Sequence, residues 1–264
     1  MIISSSIDFK IPKTNCHFPP GLPVSIRDIQ SFSGEQDMKF DLSGFAYLFD
    51  TPSAIPLTLE IFRPNRNCMV DELLAYLEET SRFVEEYFGA KQVLRKSDRG
   101  NPGASVEDVS LERTSVIPPA YKAHADLAPA GGLSTLKAYL NNQELEYFYK
   151  SKSQARIVNF WRPLVSVVED VPLAMCDRST VRSEDWLPYD RIDDTGPGEG
   201  VGILTRQISK VSLIQKSWTE IYAESFTLGH TAHAAFVNTT APDCCVTRAS
   251  IEVRLIVITD QVQN

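Results

Sequence analysis

Between Val70 and Phe88 apolar side chains recur every three or four positions. Val70, Leu73, Leu74, Leu77, Val84 and Phe88 fall along one face of a helix, and Gly89 follows as its stop. The acidic residues between them form a solvated opposite face. A second helical stretch is expected in LSTLKAYLNNQELEYFYK, residues 133–150. Beyond it the pattern changes to that of strands. ARIVNFWRPLVSVV (155–168) and PLAMCDRSTV (172–181) are dense in β-branched and aromatic residues, and ESFTLGHTAHAAFV (224–237) reads as one strand or a pair. In TRASIEVRLIVIT (247–259), Arg248, Ser250, Glu252 and Arg254 alternate with Ala249, Ile251, Val253 and Leu255, so Arg248 and Ser250 share a face. Within the Pro-rich stretch 1–68 the best strand candidate is FDLSGFAYLFD (40–50), with Gly44 as a turn. Helices early and strands late predict a mainly β protein with flanking helices, of which the cupin-like jelly roll is the matching architecture. No internal repeat divides the chain. Residues 1–264 are therefore expected to form a single domain, with 1–68 as an N-terminal elaboration.

Composition narrows the function classes. At 43% hydrophobic residues the chain can bury a substantial core, and its formal charge of −8 comes without any window rich in Lys and Arg. Nucleic acid is not an expected partner. The start, MIISSSIDFKIP, has neither the basic nor the apolar region of a secretion signal, and runs such as RLIVIT are strand-sized rather than membrane-spanning. The expected location is the cytoplasm, with no membrane partner. The cysteines are Cys16, Cys68, Cys176, Cys244 and Cys245, an odd set without C-x-x-C spacing, which fits free thiols.

The candidate chemistry begins at AHADLAPAGG, residues 123–132. On an extended segment, positions two apart point the same way, so His124 and Asp126 present an imidazole and a carboxylate to one point. That is the local half of a two-histidine, one-carboxylate triad, which leaves positions open on Fe(II). The plain alternative is a polar strand end. A third ligand must come from His17, His230 or His233, and the last two, three residues apart on a strand, cannot both face inward. Arg248 adds a second element, because a guanidinium fork pairs with a carboxylate through two bonds and can hold a dicarboxylate whose other end lies on a metal. Read from periodicity alone, Arg248 belongs to an ordinary strand whose polar face meets water.

RIVNFWRPLVSVVEDVPLAMCDRSTV, HAAF and RASIEVR resemble the hydroxylase/desaturase family, which includes the fungal aspergillic-acid pathway hydroxylase, gibberellin desaturase and the cephamycin methoxylase small component. Asn159, Trp161, Arg162, Pro163, Asp177, His233, Phe236, Arg248, Ser250, Glu252 and Arg254 carry the resemblance, and FDLSGFAYLFDTPSA and GAKQVLRKSDRG extend it from about residue 30. It implies an Fe(II)/2-oxoglutarate-dependent oxygenase on a double-stranded β-helix, with Fe(II) as cofactor and 2-oxoglutarate as co-substrate. It further implies His124, Asp126 and His233 as catalytic iron ligands, Arg248 and Ser250 as the clamp for the distal carboxylate of 2-oxoglutarate, and Arg162 beside the co-substrate or in a structural ion pair. Trp161 is expected in the core. The reaction class is hydroxylation, desaturation or oxidative cyclisation of a small natural-product intermediate with dioxygen, releasing succinate and CO2; whether the protein works as a homodimer is left open. Residues 211–229 depart from the family pattern, and Ala232 stands where a Pro is usual, so the substrate pocket is expected to be unusual. LAPAGG (127–132) and DWLPYDRIDDTGPGEGVG (185–202) are expected as mobile covers over it. Two rivals are a cupin-like metal lyase or isomerase without 2-oxoglutarate, in which Arg248 is structural, and a non-catalytic component of a two-protein oxygenase.

Overall fold

In a computed structural model, residues 2–7, 22–28, 40–48, 52–58, 70–95, 119–127, 129–151, 153–187, 191–193, 196–198, 203–204, 211–214, 219–225 and 231–260 are described. In chain order the elements are β1 (Ile2–Ile7), β2 (Leu22–Asp28), α1 (Phe40–Ser43), β3 (Phe45–Leu48), α2 (Val70–Phe88), β4 (Gln92–Arg95), α3 (Pro129–Tyr139), α4 (Asn142–Lys150), β5 (Gln154–Pro163) and β6 (Leu173–Cys176). They continue as β7 (Trp186–Leu187), β8 (Arg191–Asp193), β9 (Gly196–Gly198), β10 (Ile203–Leu204), β11 (Val211–Ile214), β12 (Thr219–Ser225), β13 (His233–Ala235) and β14 (Ser250–Thr259). Two five-stranded sheets carry the architecture, one in the order β1-β2-β11-β6-β13 and the other β3-β12-β5-β14-β4. The second is antiparallel throughout. In the first, β2 and β11 run parallel.

Strand β5 lies in the middle of the second sheet, and every side chain from Ala155 to Pro163 is buried. Its two faces meet different neighbours, as alternation requires. Val158 and Phe160, together with Val253, Leu255 and Val257 of β14, pack on Tyr76 and Val84 of α2. On the other face Ala155 and Ile157 meet Leu136 and Leu140 at α3, whereas Trp161 joins Phe45, Leu173 and Met175 in a cluster that reaches the first sheet. Asn159, completely buried, stands between these two apolar regions. A polar side chain in that position needs hydrogen-bonding partners, because burial without them costs about 1–3 kcal/mol. The candidate site supplies them.

Helix α2 spans the stretch read from its periodicity, and Gly89 takes a left-handed φ of 55° just after it. Its most buried positions, however, are Tyr76, Thr80 and Val84. The single helical run expected over 133–150 is two helices. Asn141 interrupts it because its side chain accepts the Glu144 backbone N–H, while the Glu144 carboxylate accepts the Asn141 N–H. LAPAGG is not a loop cover: residues 129–132 form the first turn of α3, where Pro129 occupies the favoured opening position and Gly131 and Gly132 are buried. The 185–202 stretch contributes β7 and the paired strands β8 and β9 among its described residues. Residues 1–68 are more than an elaboration added to a finished core, since β2 pairs with β11 and β3 with β12 inside the two main sheets.

Gly44 ends α1 with φ 85°, and a Cβ there would lie 2.2 Å from the Thr231 hydroxyl oxygen, which donates to the Gly44 carbonyl at 2.9 Å. Gly44→Ala is expected to destabilise the protein by about 1–3 kcal/mol from backbone strain, with the steric clash in addition. Urea unfolding measures this, and an unchanged midpoint would rule out the close approach.

Candidate metal centre

The segment before α3 runs antiparallel to β13. Ala235 donates to the Ala120 carbonyl at 2.8 Å, and His124 and His233 exchange both backbone hydrogen bonds at 3.1 and 2.9 Å. This isolated bridge sets two sequence-distant imidazoles side by side, their ring centroids 4.4 Å apart and their planes inclined by 52°. On the far side of His233 its register partner is Met175 of β6. The chain bends at Asp126, two residues after the bridge, so the H-x-D element is a bridge followed by a bend rather than a continuous strand.

Both histidines have their outer nitrogen engaged. Nδ1 of His124 lies 2.7 Å from the Lys122 carbonyl, and Nδ1 of His233 lies 3.3 Å from the Thr231 carbonyl. A carbonyl only accepts, so Nδ1 carries the proton and Nε2 presents its lone pair. The two Nε2 atoms lie 3.6 and 3.8 Å from Oδ1 of Asp126. Oδ2 of Asp126 accepts from Nδ2 of Asn159 at 2.7 Å and from Nη2 of Arg254 at 2.5 Å, and Arg254 Nε donates to Oδ1 of Asn159 at 2.7 Å. Three ligand atoms within 4.8 Å of one another, two neutral imidazole nitrogens and a carboxylate oxygen, form a donor set that could hold a metal ion.

The electrostatics prepare the same set. Burial alone would push the Asp126 carboxyl up, but the Arg254 guanidinium, helped by the two imidazoles, holds it far below the usual carboxylate range. Burial, reinforced by the neighbouring His124, brings His233 down to about 4. At His124 burial acts downward, yet the hydrogen bond and charge of Asp126 outweigh it and raise the imidazole. At neutral pH the site thus offers a carboxylate at Asp126 and a neutral imidazole at His233.

Arg248 and Ser250 lie together as alternation requires, with Arg248 Nε 3.5 Å from the Ser250 hydroxyl. The guanidinium stacks 5.4 Å over Trp161 and donates to the Val171 carbonyl at 2.9 Å. Trp161 is core, as expected. Arg162 is not brought to this cluster. Three residues from Asn159, it sits on the opposite face of β5, over Tyr76 and Phe160 and 3.9 Å from the Glu79 carboxylate. His17 and His230 lie outside the described residues. Asn159 and Arg254 had no assigned role in the sequence; what places them at Asp126 is that they face each other across β5 and β14.

A family model described as "Oxidoreductase/YMDC permease-like domain" matches residues 4–258. The chain belongs to this family. Among related proteins, the Fe(II)/2-oxoglutarate-dependent dioxygenase nvfI of Aspergillus novofumigatus is 26% identical over 231 residues, covering 83% of this chain and 78% of that protein. Oxidoreductase clz16 of Cochliobolus lunatus is 22% identical over 259 residues, 90% of this chain and 86% of that one. Solved structures of the iron and alpha-ketoglutarate-dependent endoperoxidase NvfI share the fold, with a TM-score of 0.73 at 20% identity over 98% of this chain and 99% of that one. A second conformation of the same enzyme gives 0.72 at 18% identity. The resemblance to Fe(II)/2-oxoglutarate oxygenases is borne out by these family relatives, and neither rival reading is favoured. No helix among the described residues is long and apolar enough to cross a membrane.

Proposed function

We propose that the protein is a non-haem Fe(II)- and 2-oxoglutarate-dependent oxygenase, built on a double-stranded β-helix and acting in the cytoplasm on a small natural-product intermediate. The observation that carries this reading is the meeting of His124, Asp126 and His233, in a donor set suited to Fe(II) with open positions. These three side chains would hold the iron. Bound together, Fe(II), 2-oxoglutarate and dioxygen supply the oxidising power for C–H chemistry that no side chain possesses, with release of succinate and CO2.

The chain's own part is placement. Arg248 and Ser250 bind the distal carboxylate of 2-oxoglutarate. Supporting this, the Arg248 guanidinium stands over Trp161, which lies two residues along β5 and on the same face as Asn159, the residue that bonds Asp126. Phe45, Trp161, Leu173 and Met175 form an apolar wall beside the site, which keeps water from the reacting carbon. The substrate lies against β11 and β12, formed by the segment that departs from the family pattern. These strands flank β6 and β5 respectively, bringing the divergence next to the site in both sheets. Succinate formation from 2-oxoglutarate tests the proposal. It should require Fe(II) and dioxygen together and vanish when either is withheld; formation independent of iron, or none with any candidate substrate, would count against an oxygenase.

A further inference from the structure

The two oxygens of Asp126 have different surroundings. Oδ1 faces both Nε2 atoms at 3.6 and 3.8 Å. Oδ2 is turned to the second sheet, where Asn159 and Arg254 both donate to it and Arg254 also donates to Asn159, closing a three-residue ring of hydrogen bonds. Arg254 is half exposed, with Glu252 3.4 Å away on the same strand face, whereas Asn159 is fully buried. Asn159 and Arg254 are direct register partners on β5 and β14, so neither can shift without disturbing the ladder that holds the other.

We infer that Arg254 and Asn159 are positioning residues that brace Asp126 through Oδ2 and commit it to binding metal through Oδ1 alone. The inference rests on the metal centre proposed above and concerns how its third ligand is delivered. A carboxylate with both oxygens available can take two positions on a metal; with one oxygen tied down it takes one. Two imidazoles and one carboxylate oxygen would then hold the ion and leave positions open for a co-substrate and dioxygen. The brace also ties the bend after His124 to the second sheet, fixing the carboxylate relative to histidines held by the first. Neither residue touches the metal in this scheme. Both act through Asp126, as hydrogen-bonding partners behind metal ligands commonly do.

The probe is Co(II), whose visible absorption reports the coordination around it, titrated anaerobically into the full-length protein. Wild type, Arg254→Leu, Arg254→Lys and Asn159→Leu are compared, with circular dichroism and thermal unfolding recorded on each. Arg254→Leu and Asn159→Leu should weaken Co(II) binding about 10–100-fold and change the shape of the visible spectrum at saturation. Arg254→Lys keeps the charge but cannot span Asp126 and Asn159 at once, so it should fall between wild type and Arg254→Leu. Wild-type affinity and spectrum in folded Arg254→Leu would overturn the brace while leaving the metal centre standing. If Arg254→Leu does not fold, Arg254→Lys decides alone, and a spectrum identical to wild type overturns the inference. Failure of wild type itself to bind Co(II) or Fe(II) would instead remove the metal centre on which the inference depends.

Discussion

Replacing His233 with alanine is expected to remove stoichiometric iron and, with it, succinate production. Removing a mere outer partner of a metal ligand already costs about 10–100-fold in affinity, so loss of a ligand should exceed 100-fold. The fold should survive. His233 is 7% exposed and held as a neutral imidazole by burial, so its removal leaves a small cavity without exposing an unpaired charge. Its backbone bonds to His124, which maintain the bridge, do not depend on the side chain. The informative comparison is His230→Ala, the neighbouring histidine in the sequence, which should keep its iron. Metal analysis of both purified variants decides the matter; iron retained in His233→Ala and lost in His230→Ala would transfer the role to His230.

Arg248→Leu carries the second large effect, on 2-oxoglutarate rather than on iron. Loss of a two-point, charge-assisted contact in a partly buried site costs about 2–5 kcal/mol, an affinity loss of more than tenfold. Iron binding should persist, because Arg248 lies over Trp161 and bonds the Val171 carbonyl rather than any of the three candidate ligands. Arg248→Lys should recover part of the loss, since an ammonium keeps the charge without the planar fork. Ser250→Ala should cost about 0.5–1.5 kcal/mol, as expected for one neutral hydrogen bond. The 2-oxoglutarate concentration dependence of succinate formation measures all three. A folded Arg248→Leu with unchanged dependence would return Arg248 to a structural role and revive the lyase reading.

Some of this was legible from residue order and some was not. The helical period running from Val70 to Phe88 located α2, although its most buried positions are Tyr76, Thr80 and Val84, and the alternation from Arg248 to Arg254 located β14 because side chains alternate between the faces of a strand. The separation of α3 from α4 is not legible in the sequence because apolar spacing continues through the junction, whereas the reciprocal bonds of Asn141 and Glu144 start a new helix there. LAPAGG reads as a loop because its glycines and proline suit turns, whereas Pro129 to Gly132 open α3 and Gly131 and Gly132 are buried there. At the site, His124 and Asp126 could be paired by local spacing, and His233 joined them through a resemblance. The Asn159–Arg254 pairing could not be read, since register between strands 95 residues apart is a tertiary property. Arg162 was legible in part. Its three-residue offset from Asn159 puts it on the other face of any regular strand, and the structure finds it there, beside Glu79.

Anaerobic titration of Fe(II) into the metal-free protein, with and without 2-oxoglutarate, tests the central claim most directly. One equivalent of Fe(II) should bind in either case, and a weak visible charge-transfer band should develop only when both are present, saturating at one 2-oxoglutarate per iron. The band should be absent from His233→Ala and should need at least tenfold more 2-oxoglutarate in Arg248→Leu. Tight Fe(II) binding with no visible band at any concentration of 2-oxoglutarate would contradict the oxygenase and leave a metal site of another chemistry.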